Sequence, residues 1–294
     1  MARSTTRWTE SEIARRVRLG YGQGTGRGYK SWLTRRDFSS RGITSGLPSW
    51  KLGRSLALFS HIERNAFLVA QFHEGFGDYW ENWPISRSVS LDIANELGVR
   101  HPRYPDTLVP VVMTLDGVLT TGTPEGPRYC VVDCKPDAES DKAAVAAKLA
   151  IHREFTRRMG WTYRRYSQES FPDAVVTNLV WLEGAWLDEN ECRVSTEDYE
   201  VLAARFYRDL TKDLAGHSSN MVVRDYCYLW DRKCGLTEGC GLRCLRILML
   251  QRLVSFDLEL SHLRLLRGAL SHLNVAPPML SRLSGAEDRS KSNP

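Results

Sequence analysis

Several familiar signatures are missing from this chain. No apolar run reaches the roughly 18 residues that a membrane-spanning helix needs. The opening MARSTTRWTE carries no apolar segment of the kind that marks a secretory signal. Together these absences lead us to expect a cytoplasmic protein with no membrane partner. The 7 cysteines, Cys130, Cys134, Cys192, Cys227, Cys234, Cys240 and Cys244, are odd in number and irregularly spaced, which argues against a disulfide framework. Cys234, Cys240 and Cys244, with His217 nearby, lack the C-x2-C pair of most structural zinc sites and read as buried thiols. The glycines at positions 20, 22, 24, 26 and 28 match neither the Walker nor the dinucleotide pattern, and no strand precedes them, so nucleotide binding is set aside. There is no internal repeat.

What is present is an ordinary globular composition. The 294 residues are 42% apolar and 26% charged, enough for one large domain or two smaller ones. The net charge of +5 is unevenly spread. Residues 1–41 hold Arg3, Arg7, Arg15, Arg16, Arg18, Arg27, Lys30, Arg35, Arg36 and Arg41 against only Glu10, Glu12 and Asp37. Such an arm suits a polyanion, and it nominates Arg15, Arg16, Arg18, Arg27, Lys30, Arg35 and Arg36 as DNA contacts. A solvated basic face is the plainer reading of the same charges.

The periodicities predict a capped helix over 9–19 with Thr9 at its start, and a second over 61–72 with Ser60 as N-cap. An extended segment at 81–88, a strand within 107–121, a turn-rich loop at 122–128 and a strand at 129–135 follow. A helix over 139–159, closed by Gly160, leads to a strand at 161–167. This alternation predicts an α/β core with a mixed sheet. From about residue 190 the order is a helix capped at Ser195, a helix from 220, a turn at CGL, a glycine-bearing helix and a strand-like stretch at 253–260. That order predicts a winged helix-turn-helix. The expected divisions are a catalytic domain at 1–170, a helical domain at 171–280 and a disordered tail at 281–294.

The segment VVDCK, 131–135, holds the chemistry. Side chains two apart on a strand share a face, so Asp133 and Lys135 are expected to project together and Cys134 to point away. A hairpin folded near residue 125 brings position 116 opposite about 134, which adds Asp116 to the group. Two neighbouring carboxylates repel unless a cation sits between them, and Mg²⁺ suits oxygen ligands of this kind. A nearby lysine can stabilise charge on a phosphate, and the set matches what phosphodiester hydrolysis requires. Other readings stay open: Asp116-Gly117 is also a turn dipeptide, Asp133 and Lys135 also make an ordinary salt bridge, and Glu63 also completes a capping box with Ser60.

These residues resemble the TnsA endonuclease family of bacterial cut-and-paste transposons. IARRVRLGYGQGTGRGYKSWLTRRDFSSRG, 13–42, is similar to that family's N-terminal signature. SHIERNAFL, 60–68, resembles the segment bearing its helical glutamate, and VVDCKP, 131–136, its lysine motif. The resemblance implies a restriction-endonuclease-like mixed sheet flanked by helices, followed by a mainly helical, winged-helix-like domain. It implies Glu63, Asp116 and Lys135 as active-site acid, acid and lysine. Asp133 stands where some members have glutamine, and is added here as a metal ligand on the general nuclease pattern, giving Glu63, Asp116 and Asp133 around one or two Mg²⁺, with Mn²⁺ as a substitute. The family's K-L-E stretch reads Lys148-Leu149-Ala150 here, so one acid is absent. The implied activity is cleavage of the transposon 5′ ends, on the non-transferred strands. The implied partners are transposon-end DNA, a transposase that cuts the 3′ ends and an AAA+ ATPase regulator bound through the C-terminal domain. A stand-alone restriction or repair nuclease of the same fold, and a catalytically silent DNA-binding scaffold, are the alternatives.

Overall fold

The computed structural model describes residue 6 and residues 8–37, 45–136, 142–187, 196–215 and 220–276. The expected cap at Ser195 and the expected tail at 281–294 lie outside these residues. The chain forms two compact units, Met1–Phe171 and Pro172–Pro294.

In the first unit, α1 (Glu10–Arg18) starts where the Thr9 hydroxyl accepts the Glu12 amide at 3.2 Å. Its buried face holds Ile13 and Arg16. Trp8 stacks between Trp32 and Tyr104, with ring centroids 6.1 and 4.9 Å away. The Arg16 guanidinium lies over the Trp8 ring at 4.6 Å and pairs with buried Asp37 and with Glu12. Asp37 also accepts the Thr34 amide at 2.7 Å and the Thr34 hydroxyl at 2.9 Å. Arg16 is thereby removed from the expected DNA contacts: its charge is spent inside the protein, where it ties α1 to the following loop. Arg15 pairs with Glu12, and Lys30 donates to the Leu19 carbonyl, while Arg18, Arg27 and Arg35 stay exposed.

The hairpin β1 (Ser45–Ser49) and β2 (Arg54–Leu58) leads straight into α2 (His61–Phe72). The main sheet has the order β3 (Phe76–Pro84), β4 (Thr114–Thr123), β5 (Gly126–Cys134), β6 (Thr162–Tyr166). The first three strands form an antiparallel meander. β6 runs parallel to β5 after a crossover through α4 (Ala143–Arg158), so the sheet is mixed as expected. The expected extended segment at 81–88 is divided: β3 ends at Pro84 and α3 (Arg87–Glu96) begins, a helix the alternation did not announce. Ile93 of α3 and Ile151 and Phe155 of α4 pack with Leu115, Val118 and Val131 on one side of the sheet. On the other side, the Phe67 ring of α2 meets Tyr79 edge-on at 5.2 Å.

The β4–β5 turn is tighter than expected. Thr123 pairs with Gly126, and the ladder runs to Gly117 opposite Val132, one position away from the anticipated register. Asp116-Gly117 is therefore strand, not turn. Gly117 is needed for close packing, since a Cβ there would lie 2.1 Å from the Tyr79 hydroxyl oxygen.

In the second unit, α5 (Asp173–Glu183), α6 (Thr196–Leu214), α7 (Val223–Cys234), α8 (Cys240–Leu250) and α9 (His262–Arg267) are joined by a short ladder. Gly235 ends α7 with φ 67°. Buried Asp231 accepts the Gly239 amide at 2.8 Å and the Gly241 amide at 2.6 Å, fixing the start of α8. A Cβ at Gly241 would lie 2.8 Å from the Cys227 carbonyl, which accounts for glycine in that helix. The strand anticipated at 253–260 shrinks to β7 (Val254–Ser255), paired with β8 (Asn274–Val275). Asp257 stops it by turning the chain: its side chain accepts the Glu259 amide and its carbonyl accepts the Leu260 amide. Among the described residues no helix is long and apolar enough to cross a membrane.

Asp37→Ala leaves the Arg16 guanidinium buried without its main partner, and breaking such a pair costs about 3–5 kcal/mol. Guanidinium denaturation is expected to show that loss, whereas exposed Arg18→Ala is expected to stay within about 0.5 kcal/mol of wild type. Equal midpoints for Asp37→Ala and wild type would contradict the structural role.

Candidate active site

Three of the four sequence-nominated residues meet at one place. Glu63 stands in the first turn of α2, where the Ser60 hydroxyl accepts its amide at 3.1 Å. Its carboxylate accepts the Phe59 amide and the Ser60 hydroxyl, both at 2.9 Å, and it is 7% exposed. The capping box and the active-site reading therefore describe the same side chain. Hydrogen bonds to a residue that caps its own helix hold Glu63 in one orientation, at the positive end of the helix dipole.

Asp116 lies one residue beyond the last paired position of the β4–β5 ladder. Its Oδ2 accepts the Cys134 amide and the Lys135 ammonium, each at 2.8 Å. Its Oδ1 accepts no hydrogen bond among the described residues. The Lys135 Nζ also donates to the Cys134 carbonyl at 2.8 Å, and its backbone amide donates to Tyr166 of β6 at 3.0 Å. Lys135 is thus fixed at both ends of its side chain.

Asp133 departs from the expectation that it projects with Lys135. It is fully buried, with both oxygens 2.9 Å from His152 Nδ1 and with Oδ2 accepting the Tyr163 hydroxyl at 2.8 Å. It keeps the strand alternation with Val131 toward α4. Lys135 follows the final β5 residue, so the period of two no longer governs it, and its ammonium turns to Asp116. His152 and Tyr163 were not anticipated. His152 sits on the buried stripe of α4 with Leu149, Phe155 and Thr156, and a histidine in that stripe opposite a buried strand aspartate was the available signal. Cys134 is a core thiol as expected, 3% exposed, with its pKa pushed up by burial. Glu154, the next acid along α4 after Ala150, is taken by Arg157 and Arg158.

The electrostatics follow the geometry. Burial and the adjacent Asp116 charge push the Glu63 carboxyl up to about 7, against the pull of the Phe59 amide, Ser60 and Lys135. Burial alone would lower the Lys135 pKa, but Asp116, Asp133 and Glu63 outweigh it and hold the ammonium above its ordinary value. Burial would raise Asp133, yet His152, Lys148 and Tyr163 keep it well below the usual carboxylate range.

Two carboxylates with an uncommitted Oδ1 and a proton held near neutrality fit a hard divalent cation, which asks for one or two carboxylates and otherwise water and phosphate oxygens. Among the described residues there is no group of three or more His, Cys, Asp and Glu placed to hold a metal, so an ion here would take its remaining ligands from water and phosphate oxygens.

Residues 78–168 match the family described as "TnsA-like endonuclease N terminal". That window contains Asp116, Asp133 and Lys135 and begins after Glu63. The chain is also 27% identical over 194 residues to the Escherichia coli protein "Transposon Tn7 transposition protein TnsA", covering 64% of this chain and 68% of that protein.

Removing the Asp116 charge favours the ionised form of its neighbour, so Glu63 is expected to titrate lower in Asp116→Asn. Carbon-detected NMR of the glutamate carboxyls in the metal-free protein checks this: a wild-type midpoint near 7 that falls in the variant agrees with the cluster. A midpoint that the variant leaves in place would separate the two carboxylates.

Proposed function

We propose, from the premise that the chain belongs to the TnsA family of transposon endonucleases, that it is a Mg²⁺-dependent endonuclease that cuts the non-transferred strands at the 5′ ends of a transposon. The observation that carries the proposal is the meeting of Glu63, Asp116 and Lys135, drawn from a helix start, a strand and a strand end, around a single carboxylate–ammonium contact of 2.8 Å. Glu63 and Asp116 are the residues that would hold the ion. When bound, Mg²⁺ supplies a Lewis acid for the scissile phosphate and its attacking water. Glu63 gives up its proton on taking that role, so its ligand form is gained as pH rises through about 7 in the free protein. Lys135 stays an ammonium at every physiological pH, which makes it a fixed cation beside the phosphate rather than a general base. Asp116 orients that ammonium and the chain end carrying it. Asp133 holds β5 to α4 and β6 through His152 and Tyr163, and we do not carry it forward as a ligand.

The same reading supplies the partners. The substrate is transposon-end DNA, the 3′ ends are cut by a separate transposase, and an AAA+ ATPase engages the C-terminal unit, read as a winged-helix-like module. The cytoplasm, with its Mg²⁺ and DNA, is the compartment such a reaction requires.

Asp116→Asn and Lys135→Ala are expected to lower end cleavage by about 10²–10³-fold, the scale of losing one preorganised electrostatic group. Both are expected to keep the wild-type circular dichroism spectrum and to enter the complex of transposase and end DNA. Strand-specific gel assays with Mg²⁺ read the loss. Wild-type cleavage by Lys135→Ala would remove it from the site, and efficient cutting of DNA by the wild-type chain alone would favour a stand-alone nuclease.

A further inference from the structure

The first unit has a cavity of about 390 Å³ whose lining includes Ser31, Thr34, Arg35, Arg36, Arg54 and Ser55. This lies within the roughly 300–1,000 Å³ of small-ligand pockets. Its floor is already neutral and rigid. The Arg54 guanidinium pairs with buried Glu81 at 2.8 Å and donates to the Tyr79 carbonyl at 2.6 Å and the Gly26 carbonyl at 3.0 Å. The Ser31 and Thr34 hydroxyls are also committed, to backbone carbonyls and to Asp37. The donors left over are the guanidinium of Arg35, which pairs with no carboxylate among the described residues, and the hydroxyl of exposed Ser55. They come from different elements, one from the Arg35–Asp37 turn of the basic arm and one from β2. Gly46 of β1 gives the arginine its seat, since a Cβ there would lie 3.0 Å from Arg35 Nη1.

The cavity is linked to the candidate site through the elements that line it, β2 and β3. The Ala57 amide, in the wall, donates to Glu81, and two residues later the Phe59 amide donates to Glu63. A strand rises about 3.3 Å per residue, so these two amides are separated by about 7 Å. Glu81 pairs with Gly117, the neighbour of Asp116. A cationic and a hydroxyl donor around a nucleotide-sized space, on a strand that runs on to the Glu63-bound amide, form a clamp for a phosphate ester with its sugar.

We propose that this cavity binds a backbone phosphodiester of the cut strand, one or two nucleotides from the scissile phosphate, through Arg35 and Ser55. The inference rests on the nuclease reading above and adds a subsite to it. The test measures binding of the full-length chain to a fluorescent transposon-end duplex by anisotropy, for wild type, Arg35→Gln and Ser55→Glu, across a salt series. A second set of duplexes replaces single phosphates by neutral methylphosphonates. Each variant is expected to bind about tenfold more weakly, and Arg35→Gln to reduce the slope of log K against log salt by about one. One methylphosphonate near the cut is expected to weaken wild type by a similar factor and to weaken Arg35→Gln no further. Variants that bind like wild type, or that respond to every methylphosphonate as wild type does, overturn the subsite. If the wild-type chain with its transposase still cuts the same duplex in Mg²⁺, the nuclease reading survives that result. A wild-type chain that neither binds nor cuts the duplex overturns both.

Discussion

Where the β4–β5 ladder stops, a side chain continues its work. Beyond Gly117 opposite Val132 the backbone pairing ends, and the Cys134 amide donates instead to the carboxylate of Asp116. A buried amide left without a partner costs about 1–3 kcal/mol, so this bond is compulsory for the strand end to stay in the interior. It fixes Asp116 against the chain that carries Lys135, and the ammonium then closes on the same oxygen. The parallel strand β6 takes up the Lys135 amide from the other side. Position, charge and chain direction at the site all descend from this one substitution of carboxylate for carbonyl.

The charges around it fall into two compartments with opposite protonation behaviour. On the α4 side, Asp133 is sealed from water yet keeps its charge, because His152, Lys148 and Tyr163 supply more than burial removes. On the α2 side, Glu63 also faces a negative neighbour and little water, and its proton is held to about 7. Two acids on nearby elements thus differ by their partners rather than by depth. A carboxyl poised near neutrality beside an ammonium suits a working site, whereas a buried acid held charged by three partners suits a structural one.

Much of this was legible in the residues, and the gaps have identifiable causes. Asp116 and Lys135 could be nominated because strand pairing leaves sequence marks, whereas Glu63 came from the family resemblance, since its cap pattern alone reads as structural. The hairpin register came out one position away because Thr123-Pro124-Glu125-Gly126 closes a tighter turn than its glycine and proline content suggested. Gly117 looked like a turn residue because the approach of Tyr79, which requires it, is a long-range contact. Asp133 and Lys135 were paired by a period of two that ends with the strand at Cys134. Helix α3 was missed since Pro84 and Ser86 suggested extended chain, while its burial against Leu115 and Ile151 depends on the sheet. The strand expected at 253–260 came out short because of one residue, Asp257, whose local hydrogen bond turns an alternating stretch out of strand geometry.

The basic arm shows why counting charges overstates a binding surface. Arg16 is built into an aromatic cage and a buried pair with Asp37, so it contributes to order and not to surface potential. Arg15 is offset by Glu12. Amides of the glycine-rich run are spent inside the protein as well: the Gly26 amide donates to Asp78 and the Gly22 amide to the Lys30 carbonyl, each at 2.6 Å. Arg18, Arg27 and Arg35 stay exposed and enter no ion pair among the described residues. Of these, Arg35 alone lines the cavity between the basic arm and β2, in the turn that Arg16 and Asp37 lock down. The buried pair therefore does its part in recognition at one remove: by immobilising the turn, it converts an exposed arginine into a directed one.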